Sequence, residues 1–167
     1  MIKNLEEFFI EAGKYMAWFN LWAEKYLPTA KADHLGYKCA DSAEFEALRA
    51  LLENHSTFVY QSIVSKRRDA IIKFLAPLPS VLGEVFYFEL ADQKPDGSQT
   101  SGFDHIEIYP TSGSVEDLVN ELATKGMVLE KIERPHHVTF DGVIADNFKV
   151  RLEAEALIEK IKAKEIF

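Results

Sequence analysis

Apolar residues recur along the chain at two spacings, and the two spacings predict helices and strands in different segments. In residues 2–27 apolar side chains return every third or fourth position, which predicts an amphipathic helix that begins near Asn4 and ends at Pro28. The same spacing predicts shorter helices around residues 45–52 and 115–122, and a last one over 154–165. Apolar and polar residues alternate in most of the chain between them, which is typical of strands with two unlike faces.

Two segments of the chain share one outline. Residues 33–38 read DHLGYK and residues 104–109 read DHIEIY, and each is followed by small polar residues and an acidic helix. Three short strand-like runs then follow in each half: residues 58–64, 70–75 and 85–90 in the first, and residues 127–132, 138–140 and 148–152 in the second. Turns are predicted at residues 66–69, 141–142 and 146–147, and a linker at 95–98.

The pattern in each half therefore predicts a β-α-β-β-β module, and the predicted fold class is α+β. Two such modules side by side form a curved mixed sheet around a pocket, with the helices outside. Residues 1–30 form an N-terminal helical segment that either caps the rest or makes a homodimer contact. The paired domain covers residues 31–167, with module one at 31–92, module two at 102–153 and the C-terminal helix at 154–165.

The strand alternation places four candidate metal ligands on one face of this sheet. Each half begins with a histidine and ends with a glutamate, and the face opposite the apolar one carries all four: His34, Glu89, His105 and Glu153. A sheet with one solvated face would alternate in the same way, so the repeated His/Glu arrangement is the additional signal. Two imidazoles and two carboxylates suit Mn, Fe, Co, Ni or Zn.

Charge and cysteine content exclude several other functions. The formal net charge is −8, which argues against a general nucleic-acid binder and against docking on an anionic membrane. The single cysteine, Cys39, excludes an internal disulfide and a cysteine-rich zinc site, and it is expected to be buried and inert. No targeting segment and no long apolar stretch is visible, so a soluble cytoplasmic protein is expected.

The strands that contain these four residues resemble the vicinal-oxygen-chelate superfamily, which includes glyoxalase I, methylmalonyl-CoA epimerase, extradiol dioxygenases and several antibiotic-resistance proteins. The helical segment before an Asp-His strand is similar to the YecM family within it. The resemblance implies metal ligation by His34, Glu89, His105 and Glu153. The YecM pattern has a histidine where this chain has Glu153, whereas the glyoxalase-like pattern has a glutamate there.

The resemblance also implies chemistry on a small-molecule substrate, as a metal-dependent lyase or isomerase. The ion would chelate two neighbouring substrate oxygens as a Lewis acid, and Glu107 or Glu153 would move a proton. Lys38 and Arg151 are candidates to hold a substrate carboxylate or phosphate, and Tyr87 lines the substrate cavity.

Two other readings of the same residues remain open. A non-haem iron dioxygenase needs two histidines and one carboxylate, and a non-catalytic protein could use the pocket to bind a small molecule. The pair His136–His137 would form either the lip of the pocket or a second metal pair.

Overall fold

The computed structural model describes residues 2–134 and 137–165 of the chain. In this part of the chain four helices and eight strands follow one another in this order: α1 (Leu5–Tyr26), β1 (Ala30–Lys38), α2 (Ser42–Glu53), β2 (Ser56–Val64), β3 (Arg67–Leu78), β4 (Val85–Ala91), β5 (Gly102–Pro110), α3 (Val115–Thr124), β6 (Glu130–Glu133), β7 (Val138–Ala145), β8 (Phe148–Leu152) and α4 (Leu157–Glu165). None of the helices within these ranges is long and apolar enough to cross a membrane.

All eight strands belong to one mixed sheet, with the order β2-β3-β4-β1-β5-β8-β7-β6. The strand β1 lies parallel to β4 and antiparallel to β5, and β5 lies parallel to β8. The sheet therefore consists of two β-α-β-β-β modules that meet at the β1–β5 pair. The predicted α+β fold class, with its N-terminal helix and paired modules, is confirmed.

The long helix α1 begins and ends where its sequence predicts. The Asn4 side chain accepts a hydrogen bond from the Glu7 amide at 2.9 Å, which satisfies one of the free donors of the first turn. At the other end Leu27 adopts a left-handed conformation directly before Pro28, which cannot continue the helix.

Helix α1 packs on the apolar face of the sheet. The Phe8 ring lies 5.0 Å from that of Phe88 in β4 and 5.7 Å from that of Phe103 in β5. Near the other end of the helix, the Trp22 indole donates to the Met127 sulfur at 3.4 Å. Aromatic contacts of this kind close one face of the sheet, so the polar residues of the central strands lie on the other face.

Several predicted boundaries are wrong. Residues 141–142 lie inside β7 rather than in a turn, because Asp141 is paired with Arg151 and Gly142 packs against Met127. The turn predicted at 66–69 is formed by Ser65 and Lys66, and β3 begins at the next residue. The strand predicted at 127–132 begins at residue 130, and the last helix begins at residue 157 rather than 154.

Candidate metal centre

Two irregularities in the pairing of β1 with β5 shape the centre of the polar face. The register shifts between Ala32 and Leu35, where Asp33 and His34 together lie opposite Glu107. It shifts again between Gly36 and Tyr37, where Asp104 is the additional residue on β5. In a regular strand neighbouring side chains point to opposite faces, and a β-bulge removes this restriction.

Each bulge contains an Asp-His pair whose side chains are hydrogen-bonded to each other. Asp33 Oδ2 lies 2.8 Å from His34 Nδ1, and Asp104 Oδ2 lies 3.0 Å from His105 Nδ1. The Asp33 carboxylate also accepts from the Leu157 amide at 2.9 Å, which ties the start of α4 to the site. A carboxylate on one ring nitrogen is the usual way in which proteins orient a histidine that binds metal through the other.

The second nitrogens of both rings converge on one carboxylate. Glu89 Oε2 lies 3.1 Å from His34 Nε2 and 3.2 Å from His105 Nε2. The strand register explains this arrangement, because Glu89 in β4 lies opposite Gly36 in β1, and Gly36 lies opposite His105 in β5. Three adjacent strands thus bring their side chains to one point.

Glu107 completes the group from β5. Its Oε2 lies 3.8 Å from His34 Nε2, and its Oε1 is buried and has no hydrogen-bond partner among the described residues. His34, His105 and Glu107 each offer one ligand atom, and these atoms lie within 4.8 Å of one another. These three residues could therefore hold a metal ion.

The glycine at position 36 makes the close approach of His105 possible. A Cβ atom added there would lie 2.4 Å from His105 Cε1 and 2.9 Å from His105 Nε2. Such distances are well inside van der Waals contact, so any larger residue would displace the imidazole.

The charges in this group are strongly coupled. Burial alone lowers the pKa of His34, but Glu107, Asp33 and Glu89 outweigh it and raise this pKa well above the usual value. Desolvation raises the pKa of Glu89, yet its hydrogen bonds with His105 and His34 hold the pKa well below the ordinary range. Burial raises the pKa of Glu107 to about 7 despite the opposing charge of His34. The group gathers more negative than positive charge, which favours a cation.

Glu153 lies beside this group with its carboxylate in other contacts. Its Oε2 accepts from Lys160 Nζ at 2.8 Å, and its Oε1 lies 3.1 Å from His137 Nε2. Its backbone amide donates to the Ile108 carbonyl at 3.0 Å, which holds the residue at the end of β8. The role of Glu153 as a ligand stays a prediction. Of the predicted pair His136–His137, the first residue lies outside the described ranges.

The predicted substrate-binding residues line the same face. Lys38 Nζ donates to Asp104 Oδ1 at 2.6 Å, and Tyr87 is half-buried and lies opposite His34 in the register of β4 and β1. The Arg151 guanidinium donates twice to Asp141, at 2.9 Å each time, and its Nη1 lies 3.5 Å from His105 Nε2. Both cations already have carboxylate partners, and substrate binding by these three residues stays a prediction.

Sequence reasoning missed Asp69, which is buried in β3 beside the centre. Burial, the charge of Glu89 and a hydrogen bond with Glu89 together raise the pKa of Asp69 well above the usual value. The available signal was an aspartate directly before the apolar run of residues 70–72 in the same strand.

Comparisons of the sequence with family models and with curated proteins find no match. Among solved structures, a structural-genomics target described as Protein EC4020 has a TM-score of 0.76 and 16% identity, covering 98% of this chain and 94% of that one. A Streptomyces coelicolor methylmalonyl-CoA epimerase variant in complex with 2-nitronate-propionyl-CoA has a TM-score of 0.46 and 18% identity, covering 75% and 98%. A 4-hydroxymandelate synthase mutant from the same organism has a TM-score of 0.36 and 10% identity, covering 81% and 52%. The likeness to the first of these shows the fold alone.

Proposed function

We propose that the chain binds one divalent metal ion through His34, His105 and Glu89, with Glu153 as the fourth protein ligand. The supporting observation is the convergence of two imidazole Nε2 atoms on one carboxylate oxygen, at 3.1 Å and 3.2 Å. A mixed nitrogen and oxygen donor set of this kind suits Zn, Ni, Co, Mn or Fe.

An ion-pair network without a metal would also bring these charges together, and three features favour the metal. Both Nδ1 atoms are occupied by aspartates, so each ring presents Nε2 to the centre. Glu107 Oε1 is buried without a partner among the described side chains, and a cation nearby would stabilise the negative charge of this carboxylate. Gly36 lets His105 approach closer than any other residue at that position would.

We further propose that the protein is a YecM-type member of the vicinal-oxygen-chelate superfamily and acts as a lyase or isomerase. Its substrate would be a small molecule that chelates the ion through two neighbouring oxygens. When bound, the ion supplies Lewis acidity at a substrate carbonyl. Glu107 is the group that accepts the proton, since its Oε1 has no protein donor within the described ranges, while its Oε2 lies 3.8 Å from His34 Nε2. The surrounding β-strands exclude water from this carboxylate, which is only 6% exposed.

The group of two histidines and one carboxylate also favours a second candidate. His34, His105 and Glu107 form the donor set of non-haem Fe(II) oxygenases, which leave the remaining positions open. Oxygen uptake by the iron-loaded protein with catechol-type substrates would distinguish this activity from proton transfer.

Metal content is the direct test of the proposed centre. The protein is stripped with a chelator, reloaded with each candidate ion, desalted and analysed by elemental analysis. We expect one ion per chain in the wild type and in His55→Ala, which removes an exposed histidine elsewhere. The His34→Ala/His105→Ala variant should retain none. Unchanged stoichiometry in a folded double variant would contradict the assignment.

Proton transfer has its own test. Two-oxygen chelators such as 2-oxo acids are incubated with the reloaded protein in deuterated water. NMR then follows the exchange of the protons on the carbon next to the keto group. Glu107→Gln should bind the metal and lose the exchange, whereas equal exchange rates would exclude Glu107 as the base.

A further inference from the structure

One cavity, which we call the basic cavity, brings together residues from both edges of the sheet. Its volume is about 390 Å³, and four cationic side chains line it: Lys66, Arg67, Lys94 and Arg134. They come from the β2–β3 turn, the connection between β4 and β5, and the residue after β6. A cavity of this size lies within the range of roughly 300–1,000 Å³ that small-molecule sites occupy.

The cationic side chains of the basic cavity are not neutralised by ion pairs within the described ranges. None of the four side chains forms an ion pair with a carboxylate of the described residues, whereas the adjacent Arg68 pairs with both Asp92 and Glu46. One acidic residue, Asp96, lines the cavity, and its carboxylate accepts from the Ser98 amide at 3.0 Å and the Ser98 hydroxyl at 2.8 Å. In a chain with a net charge of −8, such a concentration of unpaired cations indicates an anionic ligand.

Neutral groups hold the two guanidinium groups of the cavity in place. Arg67 Nη1 donates to the Asp92 carbonyl at 3.2 Å and to Gln99 Oε1, while the Gln99 amide is itself fixed by the Cys39 and Asp92 carbonyls. Arg67 Nε is buried without a partner within the described ranges. Arg134 Nε donates to the Thr139 hydroxyl at 3.1 Å. These contacts orient the two arginines and leave their charge available, as a preorganised oxyanion site requires.

The turn that contributes Lys66 is built against backbone preference. Ser65 and Lys66 are the two central residues of the β2–β3 hairpin, and both have positive φ, at 51° and 64°. Asn-Gly is the favoured pair in such a turn, because residues with bulky side chains are strained there. Both side chains line the cavity, so the strained turn places a lysine where glycine would leave the cavity without one.

The basic cavity lies beside the candidate metal centre. Arg67 and Asp69 share one face of β3, about 7 Å apart along the strand, and Asp69 lies opposite Ala91, which is two residues from Glu89 on the same face of β4. Arg134 donates to Thr139, which shares one face of β7 with Asp141, the partner of Arg151. A molecule in this cavity could therefore reach the centre with its other end.

We propose that the basic cavity binds the phosphate group of a small organic phosphate, and that this compound is the substrate of the metal centre. Two arginine forks and two lysines suit a dianion with several acceptor oxygens, and the cavity has room for an organic portion. The claim that this compound is the substrate depends on the proposed function. The phosphate site does not, because it is argued from the residues of the basic cavity alone.

The test measures anion binding to metal-free protein in chelator, at constant ionic strength, by calorimetric titration with glycerol 3-phosphate, inorganic phosphate and succinate. The cavity variant is Lys66→Gln/Lys94→Gln, which alters exposed side chains. Its control is Lys14→Gln/Lys25→Gln on α1, which changes the net charge equally. We expect glycerol 3-phosphate to bind most tightly and the cavity variant to bind it about tenfold more weakly, with the control unchanged.

The metal content of the same samples separates this proposal from the proposed function. The cavity variant should load metal normally, and His34→Ala/His105→Ala should bind phosphate normally. Wild-type protein that binds phosphate but takes up no metal would overturn the metal centre alone. The phosphate site would be overturned by absent binding, by equal weakening in cavity and control variants, or by succinate binding as tightly as the phosphates.

Discussion

Replacement of Gly36 by alanine tests the metal centre with the addition of one methyl group. Gly36 is not among the residues with positive φ, so alanine fits the backbone of β1 without strain. The new Cβ would lie 2.4 Å from His105 Cε1, 2.7 Å from Nδ1 and 2.9 Å from Nε2. Three atoms of one rigid ring are affected, so a rotation of the ring cannot relieve the contact and the imidazole must move.

The size of this movement follows from the distances. Carbon atoms pack at about 3.5 Å or more, so the His105 ring must retreat by roughly 1 Å from its present 2.4 Å contact. Metal–ligand distances tolerate changes of only about 0.2 Å. The shift also weakens the 3.0 Å hydrogen bond between His105 and Asp104. Loss of such an orienting contact usually lowers metal affinity about 10–100-fold. For Gly36→Ala we expect metal affinity to fall by about 100-fold or more.

The assay is a competition titration of the metal-loaded protein against a chromophoric chelator. Gly13→Ala is the matched control, because nothing lies within 4 Å of a Cβ at that position of α1. Alanine there should leave metal affinity unchanged and raise helix stability slightly. A folded Gly36→Ala protein with wild-type affinity would show that His105 is not a ligand, and the argument from convergence would fail.

Three further predictions concern the surroundings of the centre. Asp33→Asn should weaken metal binding about 10–100-fold in the same competition assay, because it replaces the carboxylate that orients His34. Arg151→Met should lower the free energy of unfolding by about 3 kcal/mol in urea titrations, because it leaves Asp141 buried without its partner. Burial alone would raise the pKa of Asp141, but Arg151 holds it below 3.8, so this pair stabilises the fold above that pH and its contribution is lost as the pH falls further. In Arg151→Met, this loss of stability at low pH should be absent from the dependence of the unfolding free energy on pH. Cys39 is fully buried, which raises its thiol pKa, so it should react with a thiol reagent only after denaturation.

Much of the fold could be predicted because its central strands are regular over several residues. Alternation placed His34, Glu89 and His105 on one face, and β4, β1 and β5 do bring these side chains together. The repeated outline of the two halves predicted the paired modules correctly. Glu107 was assigned to the same face, but its 3.8 Å approach to His34 depends on the bulge, which alternation does not predict.

The errors arose where one residue type serves two structural purposes. Asp141–Gly142 has the composition of a turn, yet the aspartate pairs with Arg151 and the glycine makes room for Met127. Both partners lie elsewhere in the chain, Arg151 in β8 and Met127 before β6, so local sequence could not reveal them. The basic cavity could not be predicted for the same reason, since Lys66 and Arg67 have the composition of a turn and Arg134, which lines the cavity with them, is distant in sequence.

The bulges suggest why the centre needs both modules. In a regular strand the side chains of Asp33 and His34 would point to opposite faces, and the 2.8 Å contact between them could not form. The 3.0 Å contact between Asp104 and His105 likewise could not form in a regular strand. Each bulge interrupts the ladder between β1 and β5, which is also where the two modules join. The bulges that interrupt the hydrogen bonding between the two modules are thus the same bulges that let aspartates orient both histidines. A cation held between the two rings would connect the modules at this interrupted ladder, so metal binding and the stability of the junction should be coupled.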